Sequence, residues 1–324
     1  MEFLLPAIVI VTGFVALAWS ADRFVAGASA VARQLGVSPV LIGLTVVGIG
    51  TSLPEMLVST IAALDGTPGV ALGNALGSNI ANVGLILGIT ALVMPIAMRS
   101  AVLRREYPLL LGVVGLTALL LADARISRGD GLVLLAAMAG VLIWMGRTAR
   151  RADHDADIMT REIRQALPAP MPLRQAVVWL VVGLVVLLIS ARLLVISAVA
   201  LAQALGVSDL VIGLTIVAVG TSLPELAAAI SSVRRGEDDL AIGNILGSNI
   251  FNLLAVLGIA GAIAPFATDG ASLARDYAIM SGFMVAIVAM GYGPGRRGHL
   301  DRGEGAILLA AFIAYQVMLF LGGS

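Results

Sequence analysis

Two short segments of this chain carry the residue types that hold a hard cation. GTSLPE occupies 50–55 and recurs at 220–225. Each copy offers the carboxylate of Glu55 or Glu225, the hydroxyls of Thr51 and Ser52 or Thr221 and Ser222, and a proline. Pro54 and Pro224 have no N–H and clash with the carbonyl four residues back, which frees the oxygens of Gly50 and Gly220 and loosens those of Thr51 and Thr221. Both acids lie deep in apolar sequence. Glu55 stands 17 residues after Ser38 and 10 before Asp65; Glu225 stands 16 after Asp209 and 9 before Arg234. A charge at the centre of a membrane helix costs about 2.5–3.5 kcal/mol, a cost that a bound cation or proton offsets. Ca²⁺ takes carboxylate, hydroxyl and carbonyl oxygens in flexible geometry, and Na⁺ has the same taste. A single copy could be a kinked helix with a snorkelling acid, but two copies at matching depth argue for a shared site.

A second pair of segments follows, GNALGSNIAN at 73–82 and GNILGSNIFN at 243–252. Ser78 and Asn82 are four residues apart and share a helix face, as do Ser248 and Asn252. Asn74 and Asn244 lie one turn earlier and read as packing or supporting residues. Gly73, Gly77, Gly243 and Gly247 have the small-xxx-small spacing of closely packed membrane helices. Interhelical hydrogen bonding alone is the alternative reading of this segment.

The elements that must position these groups are membrane helices. The 324 residues are 59% hydrophobic and 12% charged, against about 45–50% and 25% in soluble domains. Apolar runs fall near 3–31, 39–64, 70–96, 107–122, 131–148, 175–203, 209–233, 240–265, 275–292 and 304–321, and in lipid such runs must be helical. The prediction is an all-α integral membrane protein of ten transmembrane helices. Sixteen of the twenty basic residues, all arginines, sit at one set of ends and loops, three (Arg125, Arg128 and Arg275) sit at the other, and Arg192 falls within the sixth span, with no role assigned. Arginines collect on the cytoplasmic side, which places both termini outside and the middle loop inside, in a cell or inner membrane. The early residues carry only Glu2 and lack the basic start of a signal peptide, so a retained first helix is expected.

Residue i matches residue i + 170 without a gap from Gly36 to Ile89, with 27 of 54 positions identical. Residues 1–146 therefore form a first five-helix repeat with its motifs at 43–88. Residues 147–173 form a cytoplasmic linker, and 174–324 a second repeat with motifs at 213–258. Five spans per half is odd, so the second half enters the membrane from the opposite side. Inverted repeats place substrate sites near the midplane on interrupted helices, where the two GTSLPE segments should meet.

GTSLPE followed by GNxxGSNIxN, twice in inverted halves, resembles the cation/calcium exchanger superfamily over nearly the whole chain, and most closely its prokaryotic sodium/calcium exchangers. The resemblance implies secondary active antiport, exporting Ca²⁺ in exchange for Na⁺ by alternating access, with spans one and six sliding against the rest. It assigns Glu55 and Glu225 as central acidic ligands, Ser52 and Ser222 as hydroxyl ligands, and Thr51, Thr221, Gly48 and Ala218 as carbonyl ligands. Ser78 and Ser248 would line sodium sites, and Asn82 and Asn252 take the final ligand positions. One departure stands out: the family's prokaryotic members usually pair Asn in the first half with Asp in the second, whereas this chain has Asn at both. Two carboxylates balance one Ca²⁺; three Na⁺ would leave the pocket at +1, which two Na⁺ or two H⁺ would not.

A H⁺/Ca²⁺ antiporter is the alternative, since a carboxyl binds either ion, and a cation channel is a further one. An enzyme is not expected: no nucleophile–base pair or HExxH occurs, and His154 and His299 fall in loops. With no cysteine and no histidine in a span, softer metals are disfavoured. Asp153, Asp155 and Asp157 mimic the start of an EF-hand, but Ile158 and Arg164 stand where Gly and Glu are needed. Net charge is zero, which gives no footprint for nucleic acid. The expected partners are the transported Ca²⁺ and Na⁺, with H⁺ as alternative, and the lipid bilayer. No cofactor is expected, and a monomer is.

Overall fold

The computed structural model describes residues 4–98, 100–154, 171–204, 218–292 and 298–322. The core of the predicted linker, with Asp155 and Asp157, and the first part of the seventh predicted span lie outside these. The described chain is helical apart from two ladders of two-residue strands. Seven helices are long and apolar enough to cross a membrane, or eight when the bent pair Val40–Thr51 and Leu53–Leu64 counts as one span. Among them are Leu4–Gln34, Arg128–Arg147, Leu173–Leu201, Gly270–Met290 and Arg302–Leu321. The helix Arg128–His154 runs past the predicted boundary at 146, because nothing in GRTARRADH breaks a helix. Ser100–Leu120 and Gly270–Tyr292 likewise begin before their apolar runs.

The repeat is visible in backbone detail. Helix Leu53–Leu64 has its counterpart 170 residues on in Leu223–Arg234, and Pro68–Ala81 in Asp238–Phe251. Both short helices start from a break at a serine, Ser52 at φ −83°, ψ 4° and Ser222 at φ −88°, ψ 3°. Pro54 and Pro224 fit there because an N–H near a helix start has no partner to lose. Both helices end in a left-handed glycine, Gly66 at φ 77° and Gly236 at φ 71°, which a side chain would strain. The α ladder loosens into π turns at Asn82–Leu87 and again at Asn252–Val256.

The two small ladders tie the halves together crosswise. Ile96–Ala97 pairs antiparallel with His299–Leu300, and Arg125–Ile126 with Phe266–Ala267. Further ties gather at the end of the molecule that holds the first ladder. Ala97 N donates to Asp238 Oδ2 at 2.9 Å, Arg33 pairs with Glu237 at 2.6 Å, and Gln34 Nε2 donates to the Met171 carbonyl at 2.6 Å.

The core lies between the interrupted helices. Asp238–Ile263 is 89% buried along its apolar window and Pro68–Val93 78%, against 28–39% for the five long helices around them. In the second half the glycine spacing brings backbone to backbone: a Cβ on Gly243 would stand 2.4 Å from the Val40 carbonyl, and one on Gly247 2.4 Å from that of Leu44. For Gly73 and Gly77, expected to pack the same way, the corresponding partner positions 210 and 214 lie outside the described residues. Gly247→Ala is expected to destabilise the protein by about 1–3 kcal/mol through overpacking; thermal unfolding in detergent checks it.

Candidate cation-binding site

Each break places two opposite helix ends at one level. Gly48–Thr51 ends where Leu53–Leu64 begins, with Glu55 in the first turn of the second helix; Ala218–Thr221, Leu223–Arg234 and Glu225 repeat the arrangement. A helix N-terminus favours negative charge and a C-terminus offers carbonyl oxygens to a cation. The bend between the two pieces of the first copy is 46°. The prolines and glycines thus do what their positions in the sequence imply.

The functional side chains are buried. Glu55 and Glu225 are each 2% exposed, with Thr51, Ser52, Ser222, Ser78, Asn82, Ser248 and Asn252 also buried. Thr221 is half-buried on the wall of the cavity, and Gly48 is packed against Gly247 of the other half. Ala218 contributes backbone at the start of its short helix.

The copies interlock. Ser52 Oγ of the first half donates to Glu225 Oε1 of the second at 3.5 Å, and Thr51 Oγ1 donates to Asn244 Oδ1 at 3.1 Å. Asn74 Nδ2 holds the Glu55 carbonyl at 3.1 Å and Ser59 Oγ at 2.9 Å, and its Oδ1 accepts from Ser78 Oγ at 3.4 Å. Asn74 and Asn244 therefore act as supports, as their position on the helix suggests.

Two residues of the centre were not singled out from the sequence. Asn252 Nδ2 donates to Asn79 Oδ1 at 3.0 Å, and Asn82 Nδ2 donates to Asn249 Oδ1 at 3.0 Å. The two bonds are related by the 170-residue repeat, and all four asparagines are buried. Asn79 also donates to the Asn249 carbonyl at 3.3 Å. With their nitrogens tied down, Asn82 and Asn252 are left with their oxygens to offer. The available signal was the invariance of Asn79 between the repeats, within GSNI; its direction, one residue off the Ser78–Asn82 face, hid its use.

Four buried oxygens have no hydrogen-bond partner among the described residues and belong to the predicted ligands: Glu55 Oε2, Glu225 Oε2, Ser248 Oγ and Asn252 Oδ1. Buried polar atoms are normally paired; Asn244 Nδ2 beside Thr51 is also without a partner among the described residues, and the four oxygens are donors of the kind that a hard cation takes. The described residues hold no cluster of three or more His, Cys, Asp or Glu side chains; the candidate donors are two carboxylates and neutral oxygens.

Ca²⁺ at about 100-fold over its dissociation constant is expected to stabilise the detergent-solubilised protein by about 2.7 kcal/mol. Glu225→Gln should abolish that gain. Asn79→Ala strands a buried amide at a cost of about 1–3 kcal/mol and should weaken Ca²⁺ binding about tenfold; a calcium titration followed by thermal shift measures both.

Similarity to known proteins identifies the family. Residues 5–146 and 175–321 match the sodium/calcium exchanger protein family. The chain is 50% identical to CaxA of Alkalimonas amylolytica, an antiporter by name, over 98% of this chain and 99% of that one. It is 42% identical to the inner membrane protein YrbG of Escherichia coli K12, over 98% of this chain and 97% of the relative. A solved structure of the sodium-calcium exchanger NCX_Mj superposes with a TM-score of 0.82 at 30% identity, covering 98% of this chain and 99% of that one. The chain belongs to the sodium/calcium exchanger protein family.

Proposed function

We propose that this protein is a Na⁺/Ca²⁺ antiporter that exports Ca²⁺ from the cytoplasm by alternating access, with Glu55 and Glu225 as ligands common to both ions. The observation that carries the proposal is the meeting of the two repeated motifs. Ser52 of one half reaches Glu225 of the other, and each glutamate keeps one buried oxygen without a partner among the described residues. Ser52, Ser222, Thr51, Thr221, Gly48, Ala218, Ser78, Ser248, Asn82 and Asn252 complete the ligand sphere in this reading. The similarity to NCX_Mj, a sodium-calcium exchanger, supports Na⁺ as the coupling ion.

The same reading has ten spans in two inverted halves, working as a monomer in the inner membrane. The ladders support the arrangement: with both termini outside, Ile96–Ala97 and His299–Leu300 fall in inner loops, and Arg125–Ile126 and Phe266–Ala267 fall in outer ones, so each observed pair shares a side. Asp238 beside Ala97 and Glu237 beside Arg33 also unite inner loops.

A two-carboxylate pocket makes Ca²⁺ and two Na⁺ electrically equivalent loads. A cycle of three Na⁺ would move one net charge, worth about 2.3 kcal/mol per 100 mV. H⁺/Ca²⁺ exchange is the second reading, favoured by the same two-carboxylate donor set. Radiolabelled Ca²⁺ uptake into proteoliposomes separates them, comparing outward Na⁺ and outward H⁺ gradients at matched potential. Uptake is expected with the Na⁺ gradient, and Glu55→Gln is expected to remove it. Uptake driven by H⁺ alone would replace Na⁺ as the coupling ion, and passive flux without a counter-ion would indicate a channel.

A further inference from the structure

The 170-residue register extends backward through the first helix. Leu17, Ser20, Ala21, Val25, Ala28, Ala30 and Ala32 recur as Leu187, Ser190, Ala191, Val195, Ala198, Ala200 and Ala202. Within that run Asp22 aligns with Arg192. At the far end of the motif, one residue before the paired glycines Gly66 and Gly236, Asp65 aligns with Arg235. Both positions have reversed their charge between the halves, so the first half carries two acids and the second two arginines, and the complementary combinations run between the halves, Asp22 with Arg235 and Arg192 with Asp65.

The structure realises one of the two pairs. Arg235 Nη2 lies 2.6 Å from Asp22 Oδ2, and its Nε donates to Asp22 Oδ1 at 2.7 Å. This bidentate pair ties the first helix to the C-terminal end of Leu223–Arg234, on the side where Arg33 and Ser29 both bond Glu237. The other pair is apart. Arg192 lines a cavity of about 1030 Å³ from the helix Leu173–Ala204, together with Leu188, Ala191 and Val195. Leu53, Leu57 and Ile61 line the same cavity. These recur every fourth residue, and the next on that helix face is Asp65. Asp65 and Arg192 are both exposed, and neither has an ion pair among the described residues. Thr268, beside the second ladder, lies on the same cavity, so it opens toward the end opposite the Asp22–Arg235 pair.

We propose that Asp22–Arg235 and Arg192–Asp65 are two alternating latches of the transport cycle. The first closes one end of the molecule in the state described here. The second closes the other end when the first has opened. The inference rests on the alternating-access reading above. Latches of equal kind at both ends keep the two end states close in energy, which an exchanger needs in order to run through both. Exposed ion pairs are individually weak, as a contact that must break in every cycle should be.

The chain has no cysteine, so pairs of cysteines can be introduced without further change. Asp22→Cys with Arg235→Cys, and Asp65→Cys with Arg192→Cys, are made separately and together in the full chain. A short bifunctional thiol reagent is applied in proteoliposomes under Ca²⁺, Na⁺ and pH gradients. The Asp65/Arg192 pair is expected to cross-link in at least one condition, each link is expected to halt transport, and the fourfold variant is expected to carry one link or the other in any molecule. An Asp65/Arg192 pair that never cross-links, or molecules that carry both links, would overturn the proposal. Separately, Arg192→Asp is expected to slow exchange up to about fivefold, and adding Asp65→Arg to restore it; a double variant as slow as the single would also overturn it. The links are read on the protein rather than on flux, so a different coupling ion would leave the latch result intact.

Discussion

Two carboxylates removed from water in the middle of an apolar bundle are the constraint around which the rest of this molecule is arranged. An unpaired buried charge is strongly destabilising, and proteins commonly meet that cost with a buried Arg or Lys partner. No ion pair to Glu55 or Glu225 occurs among the described residues. The compensation is spread over helix termini, a hydroxyl from Ser52 and an oxygen-rich shell, and it is incomplete, since one oxygen on each acid is left over. A fixed cationic partner would have satisfied the charge permanently and ended transport. Leaving the remainder to a diffusible ion couples the stability of the centre to occupancy.

The sequence reveals much of this because the features that matter leave local marks. A proline immediately before a glutamate marks the helix break, and the break is found two residues before each proline, at Ser52 and Ser222. Glycine after the last turn marks the helix ends, found at Gly66 and Gly236. Other features leave no such mark. The π turns that begin at Asn82 and Asn252 arise from tertiary packing rather than from any residue preference. Two-residue strands are too short for an alternating pattern. Asn79 and Asn249 are visible only as repeated letters until the two halves are placed against one another.

The crossed amides give a physical reason for asparagine at 252, one of the proposed ligand positions. Asn252 donates through Nδ2 to Asn79 Oδ1 while Asn79 donates through its own Nδ2 to the Asn249 carbonyl. An ionised aspartate at 252 would set two acceptors against one another. Turning Asn79 to offer its nitrogen would sacrifice the bond to the Asn249 carbonyl and set the Asn79 amide oxygen against that carbonyl instead. In this chain the amide at 252 is thus required by its neighbour as well as permitted by charge balance. The same bond fixes the pocket at two formal negative charges, which ties the electrical balance of the exchange to the packing of Asn79 against Asn252.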